Sequence, residues 1–181
     1  MERFVIIGAG AAGITAAQTL RSFRPDDIIT VISIDEKVHS RCMLHKFLGH
    51  ERTAEGINFV GADFFEKNDI YHIPCQTVTK IDTQAKTVFY GEGYSTPYDK
   101  LLIATGSGFF IPPIPHFREA PNVFGFRDLS DALKIDEAFA KGKRVFIVGS
   151  GLVGLDAASA LCHRGAQVTI AEMAPRVMPL Q

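Results

Sequence analysis

The chain has 181 residues, of which 46% are hydrophobic and 22% are charged, and its formal net charge is −1. This composition is typical of a globular protein with one or two cores, and the balanced charge provides no basic field for nucleic acid. No apolar run approaches the roughly 20 residues of a membrane span, and three widely spaced cysteines do not suggest a disulfide framework. We therefore expect a cytoplasmic protein that binds neither nucleic acid nor a membrane.

The first predicted element is a buried strand that ends in a glycine-rich turn. Phe4–Ile7 is followed directly by Gly8-Ala9-Gly10-Ala11-Ala12-Gly13, which opens an alanine-rich helix. Such a turn presents backbone N–H groups and the positive end of a helix to a pyrophosphate. The next strand, 28–34, ends at Asp35 and Glu36, and either carboxylate is placed to accept hydrogen bonds from a ribose.

The middle of the chain predicts a small antiparallel insertion. A short helix is expected around 40–49, followed by a turn-rich stretch and a hairpin over 76–82 and 86–90. A buried strand over 101–104 ends at Thr105 and Gly106. The proline-rich run 111–115 is the natural linker, and a helix over 129–140 follows it.

A second glycine turn repeats the first. Gly149-Ser150-Gly151-Leu152-Val153-Gly154 follows the strand 145–148, and a later strand, 167–171, ends at Glu172. One such motif is weak evidence, but strand, turn, helix and acid agree in both copies. We predict an α/β protein with two Rossmann-like units, a domain over 1–113 and a second over 114–181. The second unit lacks a third parallel strand, so we expect it to be incomplete.

These motifs resemble those of the pyridine nucleotide-disulfide oxidoreductases, and the resemblance runs nearly from end to end. It implies that the first turn holds FAD, that 98–107 is a second FAD-contacting element, and that the second turn holds NAD(H). It also implies that this sequence is an amino-terminal portion of a longer enzyme. The cofactor-binding residues implied in this way are Gly8, Gly10, Ala11, Ala12, Gly13, Asp35, Glu36, Arg41, Cys42, Val78, Ala104, Thr105, Gly106, Arg127, Gly149, Gly151, Leu152, Val153, Gly154 and Glu172.

The segment after Asp35 and Glu36 indicates the subclass. Cys42 is followed five positions later by Phe47, which excludes the CxxxxC dithiol of the disulfide reductases. The run 40–46 is more similar to the Arg-x-x-Leu-x-Lys pattern of NADH-dependent rubredoxin and ferredoxin reductases than to the Ser-Phe-x-x-Cys context of NADH oxidases and peroxidases. That resemblance implies that Arg41 contacts FAD and that Lys46 lies beside the isoalloxazine, with Asp156 as its carboxylate partner.

The leading hypothesis is an FAD-dependent oxidoreductase that takes a hydride from NADH and passes electrons to a rubredoxin- or ferredoxin-like protein or to oxygen. An NADH oxidase or peroxidase that uses Cys42 as a redox thiol is one alternative. A non-catalytic nucleotide-binding module is another, and a homodimer of the full-length enzyme stays open. His39, Cys42 and His45 provide metal-binding side chains, but a closed zinc site needs four, so we expect no metal. Cys162 is expected to be a small core residue.

Overall fold

The computed structural model describes residues 1–140 and 143–178, and the chain divides into two compact units. The first unit comprises Met1–His39 and Asn58–Ser107, and the second comprises Ser40–Ile57 and Gly108–Gln181. The segment Ser40–Ile57 thus packs with the second unit, although it lies within the first predicted domain, 1–113. The predicted boundary between residues 113 and 114 stays a prediction. No helix in the described ranges is long and apolar enough to cross a membrane.

The helices and strands of the described ranges follow one another in an order that begins and ends with a strand–helix–strand unit. They are β1 (Arg3–Ile7), α1 (Ala11–Phe23), β2 (Ile28–Ile32), α2 (Leu44–Leu48), α3 (Phe64–Lys67), β3 (Tyr71–Ile73), β4 (Val78–Asp82), β5 (Thr87–Tyr90), β6 (Tyr94–Pro97), β7 (Lys100–Ile103), α4 (Leu129–Phe139), β8 (Arg144–Val148), α5 (Leu152–His163) and β9 (Gln167–Ala171).

A parallel sheet with the strand order β3-β2-β1-β7 forms the centre of the first unit. Ile6, Ile29 and Val31 are fully buried and lie in one core with Ile14 and Ala17 of α1. Parallel strands buried on both faces require continuous runs of branched apolar residues, and β1 and β2 have them. The predicted strand–helix–strand unit over 3–35 is therefore confirmed.

A second, antiparallel sheet in this unit has the order β4-β5-β6. The predicted hairpin is confirmed, since β4 pairs with β5 with Asp82 opposite Thr87. Two short strands, β3 and β6, were not predicted from the sequence. Strand β6 has the sequence Tyr-Ser-Thr-Pro, and β3 has only three residues, so neither has the alternation of apolar and polar residues that identifies a strand.

The second unit packs α2, α4 and α5 with a parallel pair of strands, β8 and β9. Leu48, Ala160 and Leu161 form its buried centre. The guanidinium of Arg164 lies 2.6 Å from an Asp136 carboxylate oxygen and donates to the Leu48 carbonyl over 2.8 Å. Arg164 therefore links the ends of all three helices. The proline-rich run 111–115 lies outside the helices and strands, as predicted.

Candidate dinucleotide-binding sites

The first glycine turn brings the end of β1, the start of α1 and the end of β7 into close contact. Gly8 has a φ of +110°, and its N–H donates to the carbonyl oxygen of Ile32 over 2.8 Å. A Cβ at Gly8 would overlap the carbonyl oxygen of Ala104, and a Cβ at Gly13 would overlap the carbonyl oxygen of Gly8. This turn therefore requires glycine at both positions, for conformation at the first and for close packing at both.

The second glycine turn repeats this arrangement in the other unit. Gly149 has a φ of +99° and donates its N–H to the carbonyl oxygen of Ala171 over 2.8 Å. A Cβ at Gly154 would overlap the carbonyl oxygen of Gly149, whereas among the described residues, the two chain neighbours aside, no atom lies within 4 Å of a Cβ built at Gly151. The fold alone does not need glycine at Gly151. Glycine at this N-cap leaves the backbone open to close approach of a ligand.

Both turns end at the amino terminus of a helix whose first N–H groups have no side-chain cap in the described structure. Gly10 and Gly151 are the N-cap residues of α1 and α5, both extended, and neither helix has an acidic residue in its first turn. Uncapped N–H groups and the positive end of the helix dipole favour an anion. Four predicted residues of these first turns are exposed: Ala11, Ala12, Leu152 and Val153. The two glycine turns and the helix starts that follow them thus fit the pyrophosphate of a dinucleotide.

The predicted acid of the second site is held against its glycine turn. Glu172 Oε1 accepts from the N–H of Ala174, and Oε2 accepts from both the N–H and the hydroxyl of Ser150, each over 2.9 Å. These donors, the Ala174 N–H first, lower the pKa of Glu172 to about 2. Sequence reasoning missed Ser150, which is 1% exposed. The only sequence signal for this role of Ser150 is that the first turn has Ala9 at the equivalent position.

The two candidate acids of the first site lie where β2 ends. Parallel pairing of β1 with β2 puts Ile32 beside Ile7, so the chain after β2 lies next to the first glycine turn. Asp35 is half-buried and Glu36 is exposed. The hydroxyl of Ser33 donates to the carbonyl oxygen of Asp35 over 2.8 Å, which fixes the start of this turn.

The predicted second FAD element lies beside the first glycine turn. The Ala104 N–H donates to the Ile7 carbonyl over 2.8 Å, and Gly106 has a φ of +71°. The structure thus places 104–106, including Thr105, next to Gly8. Val78, at the start of β4, packs its side chain against the second apolar core of this unit. Its implied contact with the cofactor stays a prediction.

The side chains that are predicted to contact the flavin form ion pairs other than the expected one. Lys46 Nζ lies 2.7 Å from Glu51 Oε2, and Asp156 Oδ2 lies 3.7 Å from His45 Nδ1. The expected pair of Lys46 with Asp156 is therefore wrong for this structure. The hydrogen bond from Lys46 lowers the pKa of Glu51. Glu51 was missed because it lies beyond the end of α2, where the chain reverses.

Arg127 lies just before α4 and has an unsatisfied buried donor. Its backbone N–H donates to Asp131 Oδ2 over 2.9 Å, within the capping box that Asp128 and Asp131 form at the start of α4. Its side-chain Nε is buried and has no hydrogen-bond partner among the described residues. A buried donor without a partner is costly, so this atom fits a ligand acceptor. Arg41, the other predicted arginine, is half-buried in the turn before α2.

All three cysteines are free and exposed. For Cys162 the expectation of a core residue is wrong. Ala157, Ala158, Ala160 and Leu161 form the buried side of α5, and Cys162 lies outside it. Cys42 is exposed in the turn before α2. In the ranges that the structure describes, no group of three or more His, Cys, Asp or Glu side chains is placed to hold a metal ion.

Known proteins with similar sequences and structures support this description. Residues 2–181 match the pyridine nucleotide-disulphide oxidoreductase family. The chain is 34% identical over 182 residues to the nitrite reductase [NAD(P)H] of Bacillus subtilis, covering 99% of this chain and 22% of that protein. It is 34% identical over 169 residues to the NADH-rubredoxin oxidoreductase of Clostridium acetobutylicum, covering 93% of this chain and 43% of that protein.

A solved structure agrees with the sequence relatives. The NAD-dependent persulfide reductase from A. fulgidus has a TM-score of 0.90 and 32% identity, covering 98% of this chain and 35% of that chain. This chain therefore spans between about a fifth and less than half of the length of the three proteins. Members of the family use FAD and NAD(H). The chain belongs to the pyridine nucleotide-disulphide oxidoreductase family.

Proposed function

We propose that this chain provides the FAD-binding and NADH-binding turns of an NADH-dependent flavin oxidoreductase. The observation that carries the proposal is the repeated geometry of the two glycine turns. In each, a glycine of positive φ bonds to the neighbouring parallel strand, and the last glycine packs on the carbonyl of the first. Two such turns would bind two dinucleotides in one enzyme.

We assign FAD to the first turn. Gly8, Gly10 and Gly13 would hold its pyrophosphate against the start of α1. Asp35 or Glu36 would accept hydrogen bonds from the adenosine ribose, since both follow the strand that pairs with β1. Thr105 and Gly106 would contact the flavin side.

We assign NADH to the second turn, with its pyrophosphate at the start of α5. Glu172 is ionised and anchored to the turn, so it is suited to accept from the free 2′-hydroxyl of NADH and to repel the 2′-phosphate of NADPH. Arg176 is the local arginine that a 2′-phosphate would need, and it lies four residues beyond Glu172 in a loop with a neighbouring proline. We therefore favour NADH over NADPH.

Bound FAD and NADH would supply the hydride chemistry, and the protein would hold and orient the two rings. Lys46 is proposed as the side chain at the reactive edge of the flavin, with Arg41 as a further contact. Glu51 is the carboxylate that pairs with Lys46 in this structure, with Nζ and Oε2 2.7 Å apart. Cys42 and Asp156 stay predicted members of the same site.

We propose a small rubredoxin- or ferredoxin-like protein, or oxygen, as the electron acceptor. The support is the similarity to an NADH-rubredoxin oxidoreductase together with Arg41, Leu44 and Lys46 in the pattern quoted above. The free state of all three cysteines supports a reducing compartment, so we propose the cytoplasm. The oxidase alternative rests on Cys42, which is exposed and adjacent to Arg41.

The test measures flavin content and the reduction of the flavin by NADH in the full-length protein. We expect the purified protein to release FAD on denaturation, added FAD to raise its Tm, and NADH to bleach the flavin in the absence of oxygen. A protein that releases no flavin and shows no change of Tm with FAD would refute the FAD assignment. A yellow protein that NADH does not bleach would instead support a non-catalytic binding module.

A further inference from the structure

Outside the two glycine turns, a serine and a histidine link the ends of two neighbouring strands in the first unit. Ser33 follows β2 directly and is 3% exposed. Its backbone is fixed on both sides, because its N–H donates to Ile73 over 3.0 Å and its carbonyl accepts from Gln76 over 2.9 Å. His72, the middle residue of β3, lies beside it with its Nε2 atom 3.0 Å from the Ser33 hydroxyl oxygen.

The direction of these hydrogen bonds follows from the hydrogen atoms available. The Ser33 hydroxyl lies 2.8 Å from the carbonyl oxygen of Asp35, and a carbonyl oxygen only accepts. The single hydroxyl hydrogen is therefore used there, and the hydroxyl oxygen accepts from His72. Nε2 of His72 must carry a proton, and in the neutral ring Nδ1 then carries none.

The imidazole is held in this orientation by its surroundings. Its ring stacks on Phe65 with a centroid distance of 3.9 Å and an interplanar angle of 9°. Phe65 in turn meets Phe64, a buried core residue, edge to face at 5.3 Å. Partial burial lowers the pKa of His72, which favours the neutral ring near pH 7.

We propose that His72 is a positioning residue for the adenosine half of FAD, acting through the Ser33 hydroxyl on the backbone of Asp35. The relay fixes the carbonyl of Asp35 and hence the direction in which its side chain leaves the turn. It ends on Asp35 rather than on Glu36, so Asp35 is the carboxylate assigned to the ribose. This inference rests on the FAD site proposed above. Its effect must be limited to ligands that contain adenosine.

The main test compares the binding of FAD and FMN, because FMN lacks the adenosine. Relative to the unaltered full-length protein, we expect His72→Leu to bind FAD about tenfold more weakly, the usual consequence of one lost hydrogen bond, and FMN with unchanged affinity. His72→Gln keeps a donor near the position of Nε2 and should stay within about threefold for FAD. Tyr71→Leu, on the same strand with Tyr71 63% exposed, is the matched control and should change neither.

Two further measurements separate positioning from a general effect on the fold. In an Asp35→Ala background, His72→Leu should weaken FAD binding no further, because the relay acts through Asp35. The ¹⁵N shifts of His72 in the ligand-free protein should show the Nε2–H tautomer, which should change in Ser33→Ala. The tautomer in the unaltered protein can be read without any ligand or variant.

The outcomes distinguish this inference from the function on which it rests. Failure of the unaltered protein to bind FAD overturns the proposed cofactor site and this inference with it. Normal FAD binding by His72→Leu, an equal loss for FMN, an additive loss in the Asp35→Ala background, or an Nδ1–H tautomer overturns the inference and leaves the FAD site in place.

Discussion

Alanine at Gly154 tests whether the second glycine turn needs glycine for packing. A Cβ there would lie nearer than 3.0 Å to the carbonyl oxygen of Gly149, whereas ordinary contact begins at 3.4 Å. Gly149 is itself held by its hydrogen bond to Ala171 and by a φ of +99°. The start of α5 must therefore move away from the turn by at least 0.4 Å, the difference between those two distances. We expect Gly154→Ala to lower the free energy of unfolding by about 2 kcal/mol, within the range measured for overpacking.

Gly151→Ala is the matched control, since it makes the same change in the same turn. Beyond its two chain neighbours, no atom in the described part of the chain lies within 4 Å of a Cβ at Gly151, and its φ of −74° suits any residue. The free energy of unfolding should change by less than about 1 kcal/mol, the usual scale of an N-cap substitution. The added methyl group lies where we propose the pyrophosphate of NADH, so NADH binding should weaken by about tenfold or more.

The assays are urea unfolding followed by circular dichroism and titration of the full-length protein with NADH. If Gly154→Ala is as stable as the unaltered protein, the packing argument is wrong. If Gly151→Ala binds NADH with unchanged affinity, the second turn does not hold the pyrophosphate. Loss of stability in both variants would show that the space at Gly151 is not open.

Three further predictions concern ionisable or reactive side chains. Because hydrogen bonds hold the pKa of Glu172 at about 2, its carboxylate stays charged down to about pH 3, and Glu172→Gln should reduce the kcat/KM preference for NADH over NADPH by about tenfold. The stability that those bonds contribute is present above pH 4.5, the ordinary pKa of a glutamate, and is lost as the pH falls toward 2. The urea midpoint of the unaltered protein should therefore decrease over this pH range, and that of Glu172→Gln should not. Burial lowers the pKa of His72 below its ordinary value of 6.5. As the pH decreases below 6.5, the unfolded chain therefore takes up a proton before the folded protein does, and the urea midpoint should fall. The decrease should be smaller in His72→Gln. Lys46→Ala should slow flavin reduction by NADH about tenfold in stopped-flow absorbance, whereas Cys42→Ser should leave it within about twofold; a Cys42→Ser enzyme that binds flavin but loses oxygen or peroxide reduction would favour the oxidase alternative.

The sequence alone determined the α/β class, both glycine turns and the acids that follow them. These features are local: a buried strand, a turn that only glycine permits and a helix follow one another within about 20 residues, and each has a distinct composition. The position of Glu172 at the end of β9 was predictable for the same reason, since its distance from Gly149 is set by one helix and one strand.

Only the tertiary structure decided which side chains meet. Ser33 and His72 are 39 positions apart and come together because β3 pairs with β2, yet β3 is too short to be recognised from its sequence. Glu51 reaches Lys46 because the chain reverses after α2, and the sequence pattern had favoured Asp156 instead. Contacts between distant segments depend on pairing and packing, which local periodicity does not encode.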